Sequence, residues 1–174
     1  MNCSAVQIVP GRLFIADLPA FLQSLNHFSA KHSVKIQGFD ARKIVDADHL
    51  LFSIHRARQS FSKGANEAKD IGLEVLRFSS GQRKIDKAFS MGLISGENRS
   101  FFVFFGETAE CLKNAENAFK SEFRLLEPIV IPMSEKKPFL TEQFEITDAE
   151  LKTAGDSRFK DLVMERVALV DVTR

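Results

Sequence analysis

The chain of 174 residues contains no Trp and no Tyr. Seventeen Phe carry its whole aromatic content. Rings here therefore serve as apolar filling, without the polar tip that makes Tyr and Trp frequent interface anchors. Cysteine is nearly absent as well: Cys3 and Cys111 are the two in the chain. Two distant thiols predict reduced cysteines in a cytoplasmic protein, nuclear as well in a eukaryote, rather than a disulfide framework. No apolar run reaches the roughly 18 residues of a membrane-spanning helix. The opening MNCSAVQIVPG has neither a basic start nor a long apolar stretch, so no secretory signal is expected.

The motifs of common chemistries are missing too. There is no CxxC, and His27/His32 and His49/His55 are not at the i, i+4 spacing that aligns two imidazoles on one helix face. The four histidines are expected to be satisfied or solvated, with no metal bound. Neither GxxxxGK[ST] nor GxGxxG is present, which argues against nucleotide chemistry in the chain itself and leaves no cofactor to expect. GxSxG is absent as well. Glu107 and Glu110 have helix-start spacing, where a helix dipole accounts for them better than acid–base work. These absences predict a protein without catalytic residues. An enzyme acting on a small molecule has no positive support.

What is present is an ordinary globular balance, 44% hydrophobic and 27% charged, with a formal net charge of +1. The charge is unevenly spread. Residues 31–87 hold 12 Lys and Arg against 7 Asp and Glu, and residues 88–174 hold 11 against 15. A modest basic face inside a neutral total is the implication.

No repeat, low-complexity stretch or Gly/Ser/Pro-rich linker divides the chain, so residues 1–174 predict a single compact α/β (α+β) domain, a small mixed sheet packed with several helices. Residues 4–15 predict a hairpin turning at Pro10-Gly11. Asp17 is placed to cap a helix with Leu18, Phe21, Leu22, Leu25 and Phe28 on one stripe and Pro19 in its first turn. Val34–Phe39 alternates as a strand. Leu50, Ile54, Ala57 and Phe61, widened by Leu51, predict a helix that stops at Gly64. Asn66 is then read as the cap of a helix carrying Ala68, Ile71, Val75 and Phe78 inward. Ser80-Gly81 breaks the chain, and a short helix restarts at Gln82 with Ile85, Ala88 and Phe89 facing inward. Phe101–Phe105 is a continuous apolar run suited to a central strand covered on both faces. Cys111, Leu112, Ala115, Ala118 and Phe119 mark a further helix. Ile129-Val130-Ile131, between Pro128 and Pro132, predicts a short strand. Thr147-Asp148-Ala149-Glu150 has capping-box spacing, with Ile146 and Leu151 as a staple and Gly155 as the stop. A last helix begins near Arg158 and is apolar around most of its circumference, which suits either a buried helix or a docking surface with Leu162, Arg166 and Leu169 as contacts.

One constellation points to a ligand: Ser79-Ser80-Gly81-Gln82-Arg83-Lys84-Ile85. A helix starting after a Ser-Gly break presents free N–H groups, and Arg83 and Lys84 fall in that first turn, with Lys87 one turn on. Cations there oppose the dipole, an arrangement that makes sense if an anion such as a nucleic-acid phosphate is bound. Asn66 with Lys69 repeats the pattern, although Glu67 would repel an anion and capping alone explains Asn66.

Phe39-Asp40-Ala41, His49-Leu50-Leu51-Phe52, Ala57, Phe61, Gly64-Ala65-Asn66, Leu73-Glu74-Val75-Leu76, Ser80-Gly81-Gln82-Arg83-Lys84-Ile85 and the ending Glu165-Arg166-Val167-Ala168-Leu169-Val170-Asp171 together resemble the CGI family, the KEOPS/EKC subunit related to the PRPK-binding protein of animals. The resemblance spans about residues 34–172, is densest between 38 and 105, and hardly touches residues 1–33. The family often has an acidic residue before the Arg and Gln after it, whereas Gln82 and Lys84 flank Arg83 here. It implies a non-catalytic KEOPS subunit for threonylcarbamoyl-adenosine modification of tRNA. Such a subunit docks on and activates the small kinase/ATPase, meets the catalytic threonylcarbamoyl-transferase subunit indirectly, and grips the single-stranded 3′ CCA end of tRNA. Arg83, Lys84, Lys87, Asn66 and Lys69 are then candidate RNA contacts. Without Tyr or Trp, base stacking falls to groups such as His55 and Arg56. The alternative is a pure protein-interaction module of a kinase, in which the last helix docks and no RNA is touched.

Overall fold

The structure, a computed structural model, describes residues 4–126 and 129–172, apart from the side chain of Asp156. Cys3 lies outside the described residues. The described chain forms two compact units. One comprises residues 1–40 and 93–130, the other residues 41–92 and 131–174. The fold class agrees with expectation, helices together with a small sheet, but that sheet is antiparallel throughout rather than mixed. No helix among the described residues is long and apolar enough to cross a membrane.

The first unit carries strand β1 (Ala5–Ile15), helix α1 (Leu18–Lys31), strand β2 (Lys35–Asp40), strand β3 (Gly96–Gly106) and helix α5 (Ala109–Glu122). Sheet order is β1-β3-β2. Phe102 to Phe105 are all fully buried, so the central strand is covered on both faces, as its unbroken apolar run predicts. Asp17 accepts from the Ala20 N–H and caps α1. Phe119 of α5 sits within 4.7–5.7 Å, ring centre to ring centre, of Phe28, Phe102, Phe104 and Phe123. The abundant Phe is core filling. The Cys111 thiol donates to the His32 carbonyl at 3.7 Å.

The predicted hairpin at residues 4–15 does not form. β1 runs straight through Pro10-Gly11, with Pro10 opposite Phe101 and Gly11 opposite Ser100. Pro is tolerated because β1 is an edge strand and position 10 points its nitrogen away from β3. Arg12, of the same parity, exchanges both backbone hydrogen bonds with Leu126 on that outer side. Gly11 is needed for closeness rather than for a turn, since a Cβ there would fall 2.4 Å from Leu125 Cγ.

The second unit is helical: α2 (Ala47–Ser62), α3 (Ile71–Ser79), α4 (Ile85–Ala88), α6 (Met133–Gln143), α7 (Asp148–Ala154) and α8 (Phe159–Leu169). Val45, Leu140, Phe144, Ile146, Phe159, Val163 and Val167 form its apolar centre. The capping box at Thr147 and Glu150 is present, and Gly155 ends α7 with φ of 72°. Leu50, Ile54 and Ala57 are buried on α2, but Leu51 is exposed.

Four further expectations are corrected. Asn66 does not cap the next helix. Asp70 does, accepting from the Leu73 N–H, while Asn66 donates within a turn to the Ala68 carbonyl. The helix expected from Gln82 begins only at Ile85 and is a single turn, so Arg83 precedes it and Lys84 occupies its cap position without a side-chain cap bond. Phe89 is 54% exposed rather than inward. Residues 129–131 form no strand. The chain there leads into α6, whose internal Pro138 and lack of an apolar stripe leave no helical pattern to read.

His49 is fully buried at the start of α2 and ties three segments together. Its Nδ1 accepts from the Val45 N–H at 3.3 Å, so Nε2 carries the proton and donates to the Ser79 carbonyl at 2.9 Å. Burial holds its pKa down at about 4, against the pull of the Ser79 bond and of Asp46. The unfolded chain then binds a proton that the folded one refuses between about pH 6.5 and 4. Stability is therefore complete above that window and falls as pH drops through it, by up to about 1.4 kcal/mol per pH unit from this group. Urea unfolding measured from pH 7 to 4.5 should show this slope, and His49→Gln should flatten it.

Candidate nucleic-acid interface

The second unit contains a cleft of about 590 Å³ lined by Arg56, Gln59, Ser60, Lys63, Ala65, Glu67, Arg77, Arg83, Lys84, Val170 and Asp171. Five cations face two carboxylates across it. Helical spacing explains one wall: Arg56, Gln59, Ser60 and Lys63 are three or four residues apart and share a face of α2. The turn after α2 adds Ala65 and Glu67. α3 supplies Arg77, the segment before α4 supplies Arg83 and Lys84, and the turn after α8 supplies Val170 and Asp171.

Arg77 forms the floor. It and Glu74, three residues apart on α3, are almost wholly buried, with side chains 2% and 0% exposed. The guanidinium grips the carboxylate with two donors, Nε to Oε2 at 3.2 Å and Nη2 to Oε1 at 2.7 Å. Glu74 also accepts from the Ala68 N–H at 3.0 Å. Burial would raise this carboxyl, but Arg77 and the Ala68 N–H outweigh it and hold the pKa below its usual value. The pair's stabilisation is accordingly complete above the ordinary carboxylate range, about pH 4.3, and is lost as pH falls through the lower folded value. Arg77 Nη2 also donates to Asp171 Oδ1 at 3.1 Å, joining the end of α8 to α3. The guanidinium of Arg77 lies 4.4 Å from the centre of the Phe78 ring, and that of Arg56 lies 5.7 Å from it.

The segment carrying Arg83 and Lys84 is fixed by its buried start. Ser79 and Ser80 are fully buried. The Ser79 carbonyl accepts from His49, Ser80 Oγ donates to the Arg77 carbonyl at 2.7 Å and accepts from the Gln82 N–H at 3.2 Å, and Gln143 donates to the Ser80 carbonyl at 3.3 Å. Gly81 turns the chain with φ of 67°. The bonded Ser79 carbonyl, the bonded Ser80 hydroxyl and a left-handed glycine thus leave Arg83 and Lys84 exposed at the cleft rim.

Among the sequence-predicted RNA contacts, Arg83, Lys84 and Arg56 converge on this cleft. The seat is not the N-terminus of a helix, because α4 is one turn long and starts after them. Lys87 lies apart, in a smaller hollow with Ser80, Gly81, Gln82, Phe144, Glu145 and Arg166. Asn66, Lys69 and His55 do not line the cleft. On α8, Leu162 lines a separate groove with Ala149, Glu150, Thr153, Ala154, Arg158, Asp161 and Glu165. Arg166 is bonded to Glu150 and faces Glu165 at 3.6 Å, and Leu169 is exposed. Lys63 and Arg77 are the two cations of the cleft that lie outside the sequence-predicted contacts. Lys63 is legible as one helical repeat beyond Arg56 and Gln59. Arg77 carries no local signal. Among the described residues no group of three or more His, Cys, Asp or Glu side chains is placed to hold a metal ion.

Removing one partner of a buried ion pair leaves the other charge uncompensated. Arg77→Ala should lower unfolding free energy by about 3–5 kcal/mol, measured by urea titration at pH 7, whereas Arg83→Ala, on the exposed rim, should stay within about 0.5 kcal/mol of wild type.

No curated protein matches the chain. The family model described as kinase binding protein CGI-121 matches residues 17–171, and the chain belongs to that family.

Proposed function

We propose that this CGI-121 family member is a non-catalytic, cytoplasmic subunit of the KEOPS complex that binds tRNA through the Arg56–Lys84 cleft while docking on the small kinase/ATPase subunit. The family is one of kinase-binding proteins, which supports the kinase side. The observation that carries the RNA side is the convergence of five cationic side chains from two helices and one loop on a single cleft. An open cleft of this charge suits the phosphates of a single strand. Guanidinium planes stand in for the missing Tyr and Trp as stacking surfaces. The tRNA's 3′ CCA end is the single strand in question, and the catalytic threonylcarbamoyl-transferase subunit is reached through the kinase.

The experiment is tRNA binding by fluorescence anisotropy over a salt series. The Arg83→Ala/Lys84→Ala protein should bind more weakly, with a log–log salt slope flatter by about 1.4, the value for two lost contacts to a single strand. Lys69→Ala, outside the cleft, should behave as wild type, and tRNA trimmed of its 3′ CCA should bind weakly to all three. Unchanged affinity in both the double variant and the trimmed tRNA removes the RNA role.

The second reading, a kinase-docking module without RNA contact, is favoured by the groove between α7 and α8, where Leu162 meets the open side. If that groove docks the kinase, Leu162→Glu should reduce co-purification of the kinase subunit about tenfold or more, as loss of a buried apolar anchor does, while leaving tRNA affinity intact. Undiminished co-purification moves the docking surface elsewhere on the chain.

A further inference from the structure

One of the two carboxylates in the cleft sits where a ligand's oxygens would be expected. Asp171 Oδ1 accepts from Arg77 Nη2 at 3.1 Å, and Oδ2 lies 3.6 Å from Arg56 Nη2. The carboxylate therefore bridges guanidinium groups from two different helices. Arg77 does not need it for neutrality, because Glu74 already holds that guanidinium through two hydrogen bonds. Asp171 is a second anion on a paired cation. It is also the accessible one, 38% exposed where Glu74 is 0% exposed, and it projects from the turn beyond the last helix rather than from the middle of one. Arg56 Nε is buried beside it without a hydrogen-bond partner, a donor that the carboxylate leaves unused. Two guanidiniums presenting donors to a pair of oxygens fit a phosphate as well as a carboxylate.

We propose that Asp171 is an internal counter-ion, occupying the seat between Arg56 and Arg77 that a backbone phosphate of single-stranded RNA takes on binding. This rests on the RNA reading of the cleft. It deepens that reading by assigning one phosphate subsite and the group that competes for it. Binding then exchanges one oxyanion for another, so the cleft releases fewer solution counter-ions than its cations alone would. Asp171 thereby sets affinity: it keeps the seat ordered when no RNA is bound and makes a weakly held anion lose the competition.

The test compares wild type with Asp171→Asn and Asp171→Ser, each checked by thermal melting, for binding of an unstructured RNA oligonucleotide ending in CCA and of inorganic pyrophosphate. Asn keeps an oxygen acceptor for Arg77 without the charge, and Ser removes the bulk as well. Lifting one negative charge a few ångströms from a phosphate predicts about fourfold tighter RNA binding, a salt slope steeper by about 0.7, and a gain in pyrophosphate affinity in the same direction. A merely structural Asp171 would lower the melting temperature without steepening the slope. Wild type binding RNA while both variants bind it equally or more weakly, with unsteepened slopes, overturns the counter-ion and spares the RNA reading. If wild type and variants bind neither probe, both fail.

Discussion

Burying Arg77 against Glu74 is the constraint on which the cleft depends. Taking both charges out of water costs several kcal/mol per ion, and only excellent geometry repays it. Here the repayment is visible: two guanidinium donors on one carboxylate, a third donor from the Ala68 backbone, and the Phe78 ring against the guanidinium. Each bond also positions a piece of chain. The Ala68 N–H fixes the turn that brings Ala65 and Glu67 to the cleft, and Asp171 draws in the end of α8. One buried pair therefore assembles three of the five segments that line the cleft.

A second polar centre, His49, supports the remaining wall. Neutral and buried, it links residue 45 and the start of α2 to the end of α3, immediately before the Ser79–Lys84 segment. Rigid attachment at Ser79 and Ser80, followed by a left-handed Gly81, lets two adjacent cations stand at the rim without a helix to carry them. The positive character of the site thus comes from side chains on ordered backbone rather than from a helix dipole. Charge of that kind is point-like and suits phosphates spaced along a flexible strand.

Local chemistry in the sequence reveals the elements whose cause is local. Asp17 before an apolar 3.6-residue stripe, the Thr147–Glu150 box and the unbroken Phe101–Phe105 run each act within a few residues, and each forms as expected. The misreadings arise where the cause is distant. Pro10-Gly11 looks like a turn, yet an edge position and the approach of Leu125 hold it in a strand. Met133–Gln143 shows no stripe and contains Pro138, so only packing around Leu140 marks it as a helix. In the site, Arg83, Lys84 and Arg56 are legible as a basic cluster beside a chain break. Arg77 is not, because it sits in a helix between Leu76 and Phe78, and the residues that give it meaning include Asp171, 94 positions away. Lys63 follows Gln59 by one helical turn, so its place on the Arg56 face is local information.

The central claim is that RNA enters the Arg56–Lys84 cleft, and the most direct measurement of it maps where RNA touches the folded protein without altering any residue. Backbone amide NMR spectra of the protein, recorded while a CCA-ended RNA strand is added, report every segment at once. The account predicts shifts concentrated at residues 56–67, 77–84 and 170–171, with the α7–α8 groove around Leu162 and the β-sheet of the first unit left in place. Shifts centred on that groove or on the sheet, with the cleft residues unmoved at saturation, would contradict it.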